Sequence, residues 1–268
     1  MTDTGIQKTS KSPLSVCMLA SGSKGNAVYI SNGETAILLD AGLSGIEIER
    51  RLSAINVKPE TLDAILISHE HADHIRGAGI LSRRYDLPLY INPATRRAAA
   101  SQLGNIKACR DFECGAAFSV NTLHIHPFSL SHDAENPAGF TFQYADAKLG
   151  VATDLGIATG LVKDHLKECG ILVLEANHDP EMLLTGSYPW PIKQRIKGRG
   201  GHLSNEDSKS LLCELAHSNL SHVVLAHLSG ENNTPEKALS IVGQALTNTR
   251  TRVSVASQDK CGDILHVY

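Results

Sequence analysis

The chain has 268 residues, 42% hydrophobic and 20% charged, with a formal net charge of −3. These totals fit a globular domain and exclude a global positive field that would recruit nucleic acid, so any basic site must be local. No run reaches the roughly 18 apolar residues of a membrane span, the start MTDTGIQKTSKSP lacks a signal-peptide core, and the six cysteines form no CxxC pair, which together point to a cytoplasmic protein with reduced thiols.

Residues 1–13 read as a disordered tail. Strand-like runs follow at Leu14–Ala20 and Ala27–Ser31, joined by the turn-rich SGSKGN. That loop lacks GxxxxGK[ST] spacing, so a hairpin is expected rather than a nucleotide phosphate loop. A third strand, Thr35–Leu39, ends in Asp40-Ala41-Gly42. Glu47–Ile55 has helical spacing and Ala64–Ser68 returns to strand. Helices at Ile75–Arg84 and Ala94–Leu103 flank a strand at Leu87–Ile91. Leu123–Leu130, Gly139–Ala145 and Lys148–Ala152 read as strands, Ala158–Lys167 as a helix and Ile171–Leu174 as a buried strand. Pro180–His202 reads as irregular and basic. Ser204-Asn205-Glu206-Asp207 has the composition of a helix start for Ser208–Ser218. His222–Ala226 is a strand, Pro235–Thr247 a helix and Val253–Val255 a strand. No repeat or low-complexity linker divides the chain, so one α/β domain is expected over 14–268.

The chemistry concentrates in His69–His74, HEHADH, just downstream of the apolar run Ala64–Ile67. His69 and His71 lie two apart, so on an extended segment their rings project the same way. Asp73 and His74 follow, where a loop turns into the next helix. Imidazole and carboxylate suit zinc, iron or manganese. These groups are too many for one tetrahedral site with an open position, so two neighbouring divalent ions are expected.

HEHADH matches the HxHxDH signature, and on it the chain resembles the metallo-β-lactamase fold superfamily. The resemblance implies a four-layer αβ/βα sandwich, two sheets with helices outside and metals at one rim. It also implies three further ligands: His132 in SLSHDAENPAGF, Asp154 in GVATDLG and His227 in VVLAHLSGENN. In that arrangement His69, His71 and His132 hold one ion, Asp73, His74 and His227 the other, and Asp154 lies between them. Asp40 in ILLDAG matches the early family aspartate that buttresses the metal loop. ASGSKGNAVYI, LEANHDPEML, YPWPIKQRI and GHLSN look like the YycJ/WalJ-like branch, which implies a 5′-to-3′ exonuclease acting on DNA. One departure is mild: Ala176 follows Glu175 where a serine is expected.

Substrate contacts are expected from Lys193, Arg195, Lys197 and Arg199, which recur every second residue after Tyr188 and Trp190. Cations suit phosphates and exposed aromatic faces stack bases; the alternative is a solvated loop with Trp190 pinned into the core. His178 and His202 sit in loops that could reach the cleft, each for phosphate binding or proton donation, with His178 otherwise a supporting group; His202 or a metal-bound water would protonate the leaving group. Asp73 doubles as ligand and proton acceptor. Ser21 or Ser23 is expected to line the site. Glu70 and Glu175 are read as support, and His124, His126, His165, His217, His222 and His266 as structural. One rival function is a small-molecule hydrolase on the same fold (thioesterase, lactonase or cyclic phosphodiesterase), which would leave the basic stretch without a polyanion to hold; a second is a non-catalytic binding protein, which the full ligand set disfavours.

Overall fold

A computed structural model describes residues 12–268. The expected tail falls mainly on residues 1–11, outside the described residues; Ser12 and Pro13 carry no regular structure. The first sheet contains β1 (Leu14–Ala20), β2 (Ala27–Ser31), β3 (Ala36–Leu39), β4 (Ala64–Leu66), β5 (Leu89–Ile91) and β6 (Cys109–Asp111). The second contains β7 (Phe118–Val120), β8 (Leu123–Ser129), β9 (Ala138–Tyr144), β10 (Ala147–Ala152), β11 (Ile171–Glu175), β12 (His222–Ala226) and β13 (Arg252–Val255). β14 (Leu265–Val267) returns to the first sheet, antiparallel to β1. The orders are β14-β1-β2-β3-β4-β5-β6 and β13-β12-β11-β10-β9-β8-β7.

Each sheet changes character part-way. β1 to β3 form an antiparallel meander and β3 to β6 run parallel. β7 to β10 form a second meander and β10 to β13 run parallel. The parallel strands β3, β4 and β11 are buried along their whole length, as expected for strands covered on both faces.

Helices α1 (Gly45–Ala54), α2 (Ala72–Ile75), α3 (Ala78–Tyr85) and α4 (Pro93–Leu103) lie between strands of the first sheet in the chain. Helices α5 (Gly160–Leu166), α6 (Pro180–Thr185), α7 (Trp190–Lys197), α8 (Asn205–Leu215) and α9 (Pro235–Val242) do so for the second. One apolar core, with Val16, Ile30, Phe140 and Phe142, fills the space between the sheets. A second packs Ile48, Leu52, Leu81 and Leu103 on the outer face of the first sheet, and a third packs Val162, Leu212 and Val242 on that of the second. This is a single-domain αβ/βα sandwich.

Three expectations need correction. The expected helix Ile75–Arg84 is two helices, and the first already begins at Ala72, so Asp73 and His74 sit on a helical turn rather than in a preceding loop. The break falls at Gly77, where a Cβ would press on the Leu43 carbonyl. Pro180–His202 contains α6 and α7 rather than irregular chain. Pro180 and Pro191 open those helices, where a missing N–H costs nothing. Helix α8 starts at Asn205, not Ser208, because Ser204 and Asp207 form a capping box. The strands β6, β7 and β14 were not expected.

Candidate metal centre

The loops leaving β3, β4, β10, β11 and β12 converge at one rim, the usual place for a site in sheets of this kind. Asp40, Asp154 and His227 leave their strands with left-handed backbone, at φ of 59°, 62° and 55°. Asn, Asp and His adopt this conformation more readily than most residues.

The structure brings all seven expected ligand residues together. His69, His71 and His132 offer ring nitrogens within 4.8 Å of one another, and so do the donor atoms of Asp73, His74 and His227. His71 Nδ1 lies 3.1 Å from His69 Nε2 and 3.3 Å from His132 Nε2. Asp154 stands between the groups: Oδ2 is 3.3 Å from His74 Nε2, while Oδ1 is 3.8 Å from His132 Nε2 and 3.4 Å from His227 Nδ1. Asp154 Oδ2 and His227 Nε2 are buried without a hydrogen-bond partner. Each such orphan costs about 1–3 kcal/mol, which a cation relieves. The cluster is therefore compatible with divalent metal binding at a dinuclear site.

Buried groups behind the cluster fix its rings. His74 Nδ1 sits 2.8 Å from Asp40 Oδ2, and Asp40 in turn accepts from the Ser68 N–H and hydroxyl, both at 2.8 Å. His132 Nδ1 donates to the Gly201 carbonyl at 3.1 Å. Glu175, fully buried, accepts four hydrogen bonds: Oε1 from His202 Nδ1 (2.8 Å) and His227 Nδ1 (2.9 Å), Oε2 from the Leu155 and Leu203 N–H groups (3.0 and 3.1 Å). Its role as a hub for two histidines escaped the sequence reading, because the partners lie 27 and 52 residues away.

Asn26 was also missed. Its Nδ2 is 3.0 Å from His74 Nε2 and 3.3 Å from Asp73 Oδ2, and the Gly22 N–H donates to its Oδ1 at 2.9 Å. The Asn that ends SGSKGN was the available signal, read only as turn composition. Of the two serines in that loop, Ser21 is buried and accepts from the His227 N–H at 2.7 Å, whereas Ser23 is exposed.

The electrostatics divide the histidines. Burial pushes His69 well below its ordinary value and lowers His132. Burial also presses on His74 and His227, but carboxylates outweigh it. Asp154 and Asp40 hold His74 well above its ordinary value, and Asp154, Asp73 and Glu175 raise His227 to about 10. Burial opposes charge on Glu175 too, yet His202 and His227 lower it to about 2. His202 is raised: burial works against its charge and Glu175 prevails.

The expected substrate residues scatter. They do not line one extended edge, because most lie on α7, where residues two apart point apart. Lys193 Nζ donates to the carbonyls of Leu184 and Gly186, both at 2.7 Å, which ties α7 to the end of α6. Arg195 pairs with Asp133, next to His132. Lys197 and Arg199 are exposed, and Trp190 is 57% exposed rather than pinned in the core. His178 is buried beside Ser204 and Asn205, with burial holding its imidazole low and Nδ1 unpartnered. The histidines read as structural find other company: His222 meets Ser254, His217 the Cys169 carbonyl, His266 Ser15, His124 Ser119, and His165 stacks on Phe128. Among the described residues no helix is long and apolar enough to cross a membrane.

A family profile described as the β-lactamase superfamily domain matches residues 35–228. The metallo-β-lactamase fold protein YhfI from Bacillus subtilis superposes with a TM-score of 0.75 at 16% identity, covering 96% of this chain and all of that one. The chain belongs to the β-lactamase superfamily and, within it, to the branch of the exodeoxyribonucleases YycJ and WalJ. It is 39% identical to Exodeoxyribonuclease YycJ of Bacillus anthracis over 231 residues, 85% of this chain and 88% of that protein. It is 40% identical to Exodeoxyribonuclease WalJ of Streptococcus pneumoniae serotype 2 over 232 residues, 85% and 86% of the two chains.

Proposed function

We propose that the protein is a metal-dependent exodeoxyribonuclease that degrades DNA from the 5′ end, with its domain running from residue 14 to 268. The observation that carries this reading is the buried donor cluster with its two unpartnered atoms, in a chain about 40% identical to exodeoxyribonucleases over most of its length. His69, His71 and His132 would hold one ion, Asp73, His74 and His227 the other, and Asp154 would offer one oxygen to each. Zinc and manganese both suit this nitrogen and oxygen donor set. Two such ions, when bound, activate water and neutralise charge on the phosphodiester.

The chain's own groups do the rest. Glu175 accepts a hydrogen bond from His202 Nδ1, which fixes the ring and leaves Nε2 as the nitrogen that faces away. Glu175 beside it favours the charged imidazole of His202, which hands its proton to the leaving oxygen, while Asp73 receives one from the attacking water. His178 supports the segment beneath His202, through the pairing of His178 with Ser204. The exposed cations Lys197 and Arg199 meet phosphates of the strand.

The test is the protein loaded with zinc or manganese, given DNA labelled at either end, beside a thioester and bis(4-nitrophenyl) phosphate. Release of label from the 5′ end as mononucleotides is expected. Turnover of the thioester with no cleavage of DNA would refute the proposal and favour a small-molecule hydrolase. Asp73→Asn should abolish cleavage of DNA with little change in melting temperature; near-normal turnover would remove Asp73 from its role.

A further inference from the structure

Helices α6 and α7 enclose a cavity of about 220 Å³ that the catalytic reading leaves without a purpose. Leu183, Leu184 and Trp190 supply most of its wall, with Lys193 and Lys197 on the same lining. It runs from surface to interior. Leu184 and Trp190 are exposed, whereas Leu183 and His178 are buried, His178 at 3% exposure. His178 Nδ1 has no hydrogen-bond partner. Drug-sized ligands take roughly 300–1,000 Å³, so this space suits a single flat ring system.

Four features converge on one kind of occupant. An exposed indole face favours a flat π-system. Leu184 stands exposed on the same lining as Trp190, where it can cover the other face of a ring. The His178 side chain closes the inner end of the cavity and sets its depth. The ammonium of Lys197, which pairs with no acidic group among the described residues, provides for an attached phosphate, and Lys193 adds charge from its tethered position. A purely apolar partner would leave the Lys197 ammonium at the mouth unanswered.

We infer that this cavity is a nucleobase pocket, which takes one unpaired base of the DNA strand between Trp190 and Leu184, with its edge toward His178 and its phosphate toward Lys197. The inference rests on the nuclease reading and deepens it. His178 pairs with Ser204, two residues from His202, so a base held there continues into the catalytic rim. A single-stranded end enters this way most readily, because a paired base must first be unstacked and unpaired at a cost of a few kcal/mol.

Trp190 is the chain's single tryptophan, so its emission reports the pocket directly. The whole protein is titrated with dAMP and dTMP, with deoxyribose 5-phosphate and inorganic phosphate as controls. Both nucleotides should quench the emission and neither control should. Leu184→Glu, whose melting curve should match the parent's, should remove the quenching. Stacking on an aromatic is worth roughly 1–3 kcal/mol per base, so Trp190→Leu should raise KM for a single-stranded oligonucleotide about 5- to 150-fold. Quenching by deoxyribose 5-phosphate equal to that by the nucleotides, or an unchanged KM in Trp190→Leu, would overturn the pocket while leaving the nuclease intact. A parent that quenches with nucleotides but cuts no DNA would instead sink the nuclease reading and keep a nucleotide site.

Discussion

Replacing Glu175 by Gln probes the site without touching a proposed ligand. The carboxylate accepts from His202 and His227 through one oxygen and from two backbone N–H groups through the other. An amide must turn its NH2 toward one of those pairs. Facing the backbone, it leaves two buried N–H donors unpaired, at about 1–3 kcal/mol each. Facing the imidazoles, it forces each Nδ1 to become an acceptor, which moves the ring proton to Nε2. The second arrangement wins, since imidazoles can change tautomer and peptide groups cannot. His227 then presents N–H where a lone pair is needed, and His202 loses the negative charge that keeps it protonated. Metal affinity should fall roughly 10- to 100-fold, as for other groups that orient metal-bound histidines, while stability drops by only about 1–2 kcal/mol. Competition with a chromophoric chelator measures the affinity and urea unfolding of the metal-free protein the stability. A further sign is the pH profile of cleavage, whose protonated-acid limb should shift to lower pH. Unchanged metal affinity together with an unchanged profile would refute the argument.

The metal-free protein should release protons on loading. His227 is raised to about 10, so below that pH it binds metal only by losing its proton, and affinity should climb from pH 6 to pH 8. Calorimetry in buffers of different ionisation enthalpy should find at least about one proton released at pH 8; none would contradict the ion pairs with Asp154 and Glu175. The same raised value stabilises the metal-free fold fully below the ordinary histidine range, and that contribution disappears as pH rises through 10. Gly42→Ala should lower stability by about 1–3 kcal/mol or more, because a Cβ there would collide with the Asp73 carbonyl; urea unfolding and metal content should fall together. Lys193→Gln should lower the melting temperature by loosening α7 from α6, whereas Lys197→Gln should leave it unchanged and reduce the salt slope of single-stranded DNA binding by up to about 0.7.

Much of the rim was legible because its chemistry is local. His69 to His74 crowd five ionisable groups into six positions, and apolar strands before His69, Asp154 and His227 end visibly at them. The α7 region was illegible for a specific reason. Pro180, Pro189 and Pro191 interrupt any helical period in the sequence, although a proline in the first helical turn is compatible with the helix it opens. With the stretch read as irregular, its cations line up as an extended row. β6, β7 and β14 span three residues each, too short for any period to show. Glu175 and Asn26 are ordinary in local sequence, and only the fold brings them to the histidines.

The left-handed exits at Asp154 and His227 constrain which metals the chain could be re-tooled to hold. The side chains that tolerate positive φ well are Asn, Asp and His besides Gly, and two of these are nitrogen or carboxylate donors. A cysteine at either position would bring a soft sulfur donor at a backbone cost of roughly 1–2 kcal/mol, in addition to the lost bonds to Glu175 or Asp154. The strand ends thus bias the site toward harder donors before any ion arrives, and a thiolate-rich variant selected for softer metals would first have to reshape the backbone at the rim.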